Sequence, residues 1–328
     1  MRSASDMPSA FWRLLGFELR RFATPFRITL TIVSLIAMVV LARDNLLREM
    51  AIASSQLAAS GTSVSPTALD MVYLAFNNQL ISGLILPAVC GMLCADLVVR
   101  DRVDGMRTVI HCEMRSGLAY VVAKLAVVAI VCQVIVFLLI VACTLISCLF
   151  LGLPLSAEPS AWLASNGPQD SIWAQYGPIP HGWNYALLIV ALGVGFGVLE
   201  TVLSWTAMAV CSLLKSPSAA PLAVASFYVV AAQVESLVTS LGLLLGIKPL
   251  TTTIGWIIDR LCLVNYRLGA TLFQESAGGA YQGPVAVTSD IATSVYPINS
   301  WASLLLIVAI LSVASIALLL FQERRCCK

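Results

Sequence analysis

Residues 120–151 carry a single formal charge, Lys124, over a length that exceeds what a bilayer crossing needs. A helical crossing takes about 20 apolar residues. Five further stretches are comparably apolar and long, at residues 26–46, 71–95, 185–214, 219–245 and 301–321. Lipid offers no partner to an open backbone, so such stretches must be helices or strands of a closed barrel. Barrel strands are short and alternate in polarity, whereas these runs are continuous. The sequence therefore predicts an all-α polytopic membrane protein with six transmembrane helices. Composition agrees: 59% of residues are hydrophobic and 11% charged, against about a quarter charged in a soluble domain. No stretch reads as a soluble catalytic domain.

The polar remainder fixes the organisation of what reads as one membrane domain, residues 1–328. Residues 1–25 are basic and amphipathic, with Phe11, Trp12, Leu15 and Leu19 at helical spacing among Arg13, Glu18, Arg20 and Arg21. They predict a helix lying along the membrane surface. Arg20-Arg21-Phe22 also resembles a twin-arginine signal, but no small-residue cleavage site follows at once, which favours a retained first helix. Span one, residues 26–46, has Arg27 and Arg43 near its ends, where long side chains snorkel. A Ser/Ala-rich loop runs to Asp70. Span two, residues 71–95, holds Asn77-Asn78-Gln79 in its outer part and Pro87 deeper, where a kink is expected. Residues 96–119 form a charged loop before span three, and residues 152–184 a loop without lysine or arginine. Spans four (185–214) and five (219–245) are joined by a tight turn around Lys215-Ser-Pro-Ser. Residues 246–300 form an outer, partly helical segment whose Asp259, Arg260 and Arg267 argue against another full span. Span six, residues 301–321, is followed by a short basic tail, 322–328.

Basic residues orient the bundle. With the N-terminus in the cytoplasm, only Arg43, Arg48, Lys248, Arg260 and Arg267 of the 19 Lys and Arg fall outside. Both termini are therefore expected on the cytoplasmic side. The ten cysteines fall mostly in spans or on that side, and only Cys262 clearly in an outer loop. That distribution is no disulfide framework.

Catalytic signatures are missing. No Gly-x-x-x-x-Gly-Lys-Ser/Thr run occurs, so ATP is not bound in the P-loop manner. His-Glu-x-x-His and Gly-x-Ser-x-Gly are absent as well. His111 and His181, one on each predicted side, cannot form a histidine metal site within one chain. Cys90 and Cys94 share one helix face, but a metal site usually takes about four ligands, and ordinary packing is the simpler reading. Cys326-Cys327 beside Arg324-Arg325 could be lipidated or form a plain solvated tail. The sequence thus predicts no catalytic, cofactor-binding or metal residue.

Two sets of residues invite a functional reading. Glu200 and Glu235 lie near the middles of spans four and five, where an ionised carboxylate costs several kcal/mol unless it is paired or faces a wet cavity. With Asn77 and Asn78 they could line a polar path; the alternative is hydrogen bonding between helices, with Ser204, Ser226, Gln233 or Ser236 as partners. Gly193 and Gly197 permit close helix packing. In residues 96–119, Arg100, Asp101, Arg102, Asp104 and Arg107 alternate in sign across a short helix that Gly105 interrupts. This run is either a solvated loop or a docking helix for a soluble partner.

The chain resembles an ABC-2 type permease, the membrane subunit of ATP-binding-cassette exporters, over nearly its whole length. The resemblance lies in the surface helix Phe11-Trp-Arg-Leu-Leu-Gly-Phe-Glu-Leu-Arg-Arg-Phe, the six spans and the outer segment between spans five and six. The loop after span two is the most specific part. There Asp101 or Asp104, Gly105, Val109-Ile110, Arg115-Ser116 and Lys124 fill the family's pattern, while the family's glutamate, its threonine after the glycine and a proline near residue 114 are missing. The resemblance implies a dimer of permeases, a second copy or a homologue, in a bacterial cytoplasmic membrane. Two separate ATPase subunits would carry ATP and magnesium and receive the coupling helix (Arg100, Asp101, Arg102, Asp104, Gly105, Arg107) and the surface helix in clefts. No cofactor is expected in this chain, and no nucleic acid as partner. Two other readings compete: a polytopic enzyme such as a lipid-linked transferase using Glu200 and Glu235 as acid and base, and a non-transporting anchor or sensor.

Overall fold

A computed structural model describes residues 7–57, 65–78, 80–107, 117–156, 184–230 and 301–326. Every regular element among them is helical. In chain order these are α1 (Met7–Phe22), α2 (Pro25–Leu57), α3 (Ala68–Asn77), a π-helical turn (Ile81–Ile85), α4 (Leu86–Cys94), α5 (Leu97–Val103), α6 (Gly117–Phe150), α7 (Tyr185–Cys211), α8 (Ala219–Val230) and α9 (Trp301–Cys326). Five helical stretches are long and apolar enough to cross a membrane: Pro25–Ala51, Ile81–Val103, Gly117–Phe150, Tyr185–Cys211 and Leu305–Arg324. The chain is a multi-pass helical membrane protein. Of the predicted span five, the described part is α8; residues 231–245, with Glu235, and the outer segment 246–300 lie outside the described residues.

Helix α7 occupies the centre and packs against α6, α4 and α9, while α3 and α2 close the other flank of α6. Its start is fixed locally: the Asn184 side chain accepts from the Ala186 and Leu187 backbone N–H groups, at 3.0 and 3.4 Å, satisfying two orphan donors of the first turn. One stripe, Leu188, Leu192, Phe196 and Leu199, is buried at helical spacing, and Phe196 stacks on Phe76 of α3 at 4.7 Å between centroids. The opposite faces stay bare. Ile32, Ile36 and Val40 on α2 and Leu306, Ile310 and Val313 on α9 are each more than half exposed. Apolar rows of this extent are at home against lipid tails.

Gly193 and Gly197 bring α6 and α7 together. A Cβ at Gly197 would overlap the Gln133 side chain, whose amide donates to the Gly193 carbonyl at 3.2 Å. Gly197→Ala should therefore lower stability by about 1 kcal/mol: overpacking costs about 1–3 kcal/mol, and the better helix propensity of alanine returns about 1. Thermal unfolding in detergent measures this; an unchanged midpoint would mean that Gln133 swings aside freely.

Span two departs from the continuous helix expected over residues 71–95. Helix α3 begins earlier, because the Asp70 side chain reaches back to its first turn and accepts from the Thr67 N–H at 2.8 Å. The second Asp70 oxygen accepts from the Tyr185 hydroxyl at 2.9 Å, so this acid is buried within the bundle rather than in a loop. The helix then breaks at Asn78 and resumes through the π turn, where the Leu86 N–H reaches the Ile81 carbonyl. Pro87 follows at once and has no N–H to continue the regular ladder. Sequence reasoning expected the irregularity at Pro87, and it falls on the turn just before.

Within residues 96–119, a turn at Ala95 and Asp96 leads into the short helix α5, which runs to Val103. Asp96, Arg100, Asp101 and Arg102 therefore ride on the last turns of a helical stretch. Residues 108–116 of this segment lie outside the described residues. Helix α9 likewise runs past the predicted end of span six to Cys326.

Candidate functional site

The charges of α5 and its flanks are drawn inward by countercharges on α1, α2, α6 and α9. Helix α1 buries Leu14, Leu15 and Glu18 on one face; an acid on an apolar face needs a partner. It finds Lys124, on the second turn of α6, with Nζ 2.7 Å from the Glu18 carboxylate. The same ammonium lies 2.5 Å from Asp101. Asp101 also pairs with Arg21 of α1 and accepts from the Tyr120 hydroxyl at 2.9 Å. Nearby, Asp96 pairs with Arg27 at the start of α2 and, at 2.8 Å, with Arg100 one turn along. Glu18, Asp101 and Lys124 are essentially inaccessible to solvent.

Four bases (Arg21, Arg27, Arg100, Lys124) thus meet four acids (Glu18, Asp96, Asp101, Asp104). So balanced a cluster is built to hold helices together rather than to hold a free ion. Partly buried Arg21 reports its field. Desolvation acts to lower the guanidinium pKa, but the Asp101 charge and hydrogen bond, with Glu18 and Asp104, outweigh it and raise the value. Arg21 therefore stays cationic at every physiological pH.

Each predicted coupling residue has a definite place. Asp101 is the buried hub. Arg100, about one third exposed, bridges back to Asp96. Arg102 donates to the Ser212 carbonyl beyond α7 at 2.9 Å. Arg107 is buried, pairs with Glu323 of α9 and donates to the Gln322 carbonyl at 3.3 Å. Asp104 is half-exposed and reaches Arg21 at 2.7 Å. Gly105 is exposed with φ +68°, a left-handed conformation that glycine adopts without cost. The segment therefore grips α1, α2, α6, α9 and the turn after α7 from within. Val103, Asp104 and Gly105 are exposed, and Arg100, Arg102 and Met106 are partly so.

The partners Glu18, Arg21, Arg27, Asp96, Tyr120 and Glu323 escaped sequence reasoning as site residues. A signal existed: Glu18 on the apolar face of α1, Arg27 and Lys124 inside apolar runs each demanded a countercharge.

The intramembrane candidates do not converge among the described residues. Glu200 on α7 is buried, and neither carboxylate oxygen has a hydrogen-bond partner among the described residues. Around it lies a soft, weakly polar patch: the Cys132 thiol donates to Ser204 at 3.4 Å and lies within reach of Cys90 and Cys94. Among the described residues no group of three or more His, Cys, Asp or Glu could hold a metal ion. Asn78 is occupied as a helix cap, its Oδ1 accepting from Leu80 and Ile81 at 2.9 and 3.2 Å. Asn77 closes α3, and its side chain, like Glu235, His111 and His181, is outside the described residues. No protein-family model matches the chain, and no curated protein matches it.

Proposed function

We propose that this chain is the permease subunit of an ATP-driven exporter of the ABC-2 type, coupled to separate ATPase subunits through the α5 segment. One observation carries the reading: the outward tip Val103-Asp104-Gly105 is small and exposed, while the residues behind it are tied by buried ion pairs to four other helices. A push on the tip is thereby delivered to α1, α2, α6 and α9 together. The chain holds no P-loop, so ATP and magnesium reside on the partner. In this reading α1 is a surface helix, α8 opens a sixth span, both termini and α5 face the cytoplasm of a bacterial cell, and two permeases enclose the path. Asp101 and Arg107 then act as internal links, and docking falls to Arg102, Val103, Asp104 and Gly105.

The test is capture of the partner from native membranes. Val103→Glu should remove most of the co-purifying ATPase while leaving the amount of permease in the membrane unchanged, since the Val103 side chain is exposed. Undiminished capture, or no ATPase captured by the unaltered chain, would overturn the docking assignment.

A further inference from the structure

Three thiols from two membrane spans meet where α4, α6 and α7 pack together. Cys90 and Cys94 stand one turn apart on α4, so both sulfurs lie on one face, about 6 Å from each other along the axis. Cys132 of α6 lies within hydrogen-bonding reach of both. Its own S–H donates to the Ser204 hydroxyl of α7 at 3.4 Å. All three are free thiols and fully buried.

The surroundings of this junction are not uniformly apolar. Thr201 and Ser204 of α7 lie beside Cys132. Glu200 is an electrostatic neighbour of Cys132 and Cys90, and neither of its carboxyl oxygens is hydrogen-bonded among the described residues. A small uncharged molecule with hydrogen-bonding oxygens finds partners here that lipid does not offer. Cys143, about three turns further along α6, packs into the hydrophobic core instead.

We infer that Cys132, with Cys90 and Cys94, is an oxidation site for a small neutral hydroperoxide, whose product is a disulfide stapling α6 to α4. A solitary buried thiol is inert; here the reacting sulfur already touches two others. With hydrogen peroxide, the Cys132 sulfur attacks one oxygen, an S–O bond forms and the O–O bond breaks. The thiol proton passes through the Ser204 hydroxyl to the departing oxygen, which leaves as water, and Cys132 becomes a sulfenic acid. The sulfur of Cys90 or Cys94 then attacks that of Cys132. The S–S bond forms, the S–O bond breaks, and the second thiol proton leaves with the hydroxyl as a second water. Two thiols have given up two electrons and the peroxide has taken them. The third thiol stays free to exchange with the disulfide, so the staple has two registers, one turn apart on α4. Helix α4 leads through α5 into the ion-pair cluster, and the staple therefore fixes that charged segment to α6. This goes beyond the exporter reading and does not rest on it.

The purified full-length chain in detergent tests the site. It is treated with hydrogen peroxide, alkylated under denaturing conditions, and its non-reduced peptides are read by mass spectrometry. A Cys132–Cys90 or Cys132–Cys94 crosslink should appear and vanish on reduction, while Cys143 is recovered alkylated. Cys132→Ser should eliminate both crosslinks. Cys90→Ala should leave Cys132–Cys94 alone, and Cys94→Ala should leave Cys132–Cys90 alone. Cys132 recovered as a free thiol after a treatment that oxidises the partly exposed Cys148 would overturn the proposal. So would Cys132 carried to the sulfinic acid without a crosslink, since the neighbouring thiols would then fail to intercept it. Crosslinks formed equally at Cys143 would mark random oxidation of an opened chain and overturn it as well. Mapping the unaltered chain needs no variant, so a variant that fails to fold does not blunt the test. No ATPase takes part in this assay, so its failure and that of the exporter reading are distinguishable.

Discussion

Asp101→Ala lowers the unfolding free energy by about 3–5 kcal/mol, the cost of leaving one member of a buried charge pair behind. Asp101 serves three partners at once: Arg21, the Lys124 ammonium and the Tyr120 hydroxyl. Lys124 is 1% exposed, so its ammonium has no water to turn to when the aspartate is lost, and Glu18 alone must hold it. Asp104→Ala provides the contrast. It removes a bridge to the same Arg21, but the Asp104 side chain is 46% exposed, and exposed pairs contribute about 0–1 kcal/mol. Unfolding midpoints in detergent and steady-state amounts in membranes distinguish the two. A large drop for Asp101→Ala with almost none for Asp104→Ala supports the buried hub. Equal small losses would mean that water reaches Asp101 and the network is a surface feature.

Glu200→Leu moves stability in the opposite direction. A buried polar group without a hydrogen bond costs about 1–3 kcal/mol, and both Glu200 oxygens lack a partner among the described residues. Leucine in the same position removes that cost within an apolar environment, so the unfolding midpoint should rise. Such a site persists in a protein for a reason other than stability. In the exporter reading Glu200→Leu and Glu200→Gln therefore reduce transport while membrane abundance is kept or raised. A fall in stability with Glu200→Leu would show instead that the carboxyl holds the bundle together through a helix outside the described residues or a second chain.

Much of the architecture was legible in residue order alone. Continuous apolar runs admit only helices in lipid, and this placed the stretches around Pro25–Ala51, Gly117–Phe150, Tyr185–Cys211 and Leu305–Arg324. Span two was harder. Its break at Asn78 and the early start at Ala68 come from short-range hydrogen bonds of Thr67, Asp70 and Asn78, which hydropathy averages away. Charge density marked the α5 segment but not which way its side chains turn. Arg100, Asp101, Arg102 and Asp104 look alike in sequence, yet Asp101 is buried and Asp104 half-exposed because only Asp101 faces Lys124 and Tyr120. That distinction depends on the start of a helix about 20 residues further along the chain and on Arg21, 80 residues earlier, and no local pattern carries it. Lys124 within an apolar run and Glu18 on an apolar helix face were the clues, since each required an opposite charge.

In the exporter reading, force enters from a separate ATPase at the tip of α5. A photo-crosslinking side chain at Val103, activated in native membranes, tests it most directly. The account predicts a covalent adduct with a polypeptide that carries a P-loop and hydrolyses ATP. An adduct confined to lipid, or modification of Val103 by an impermeant reagent from outside the cell, would contradict it.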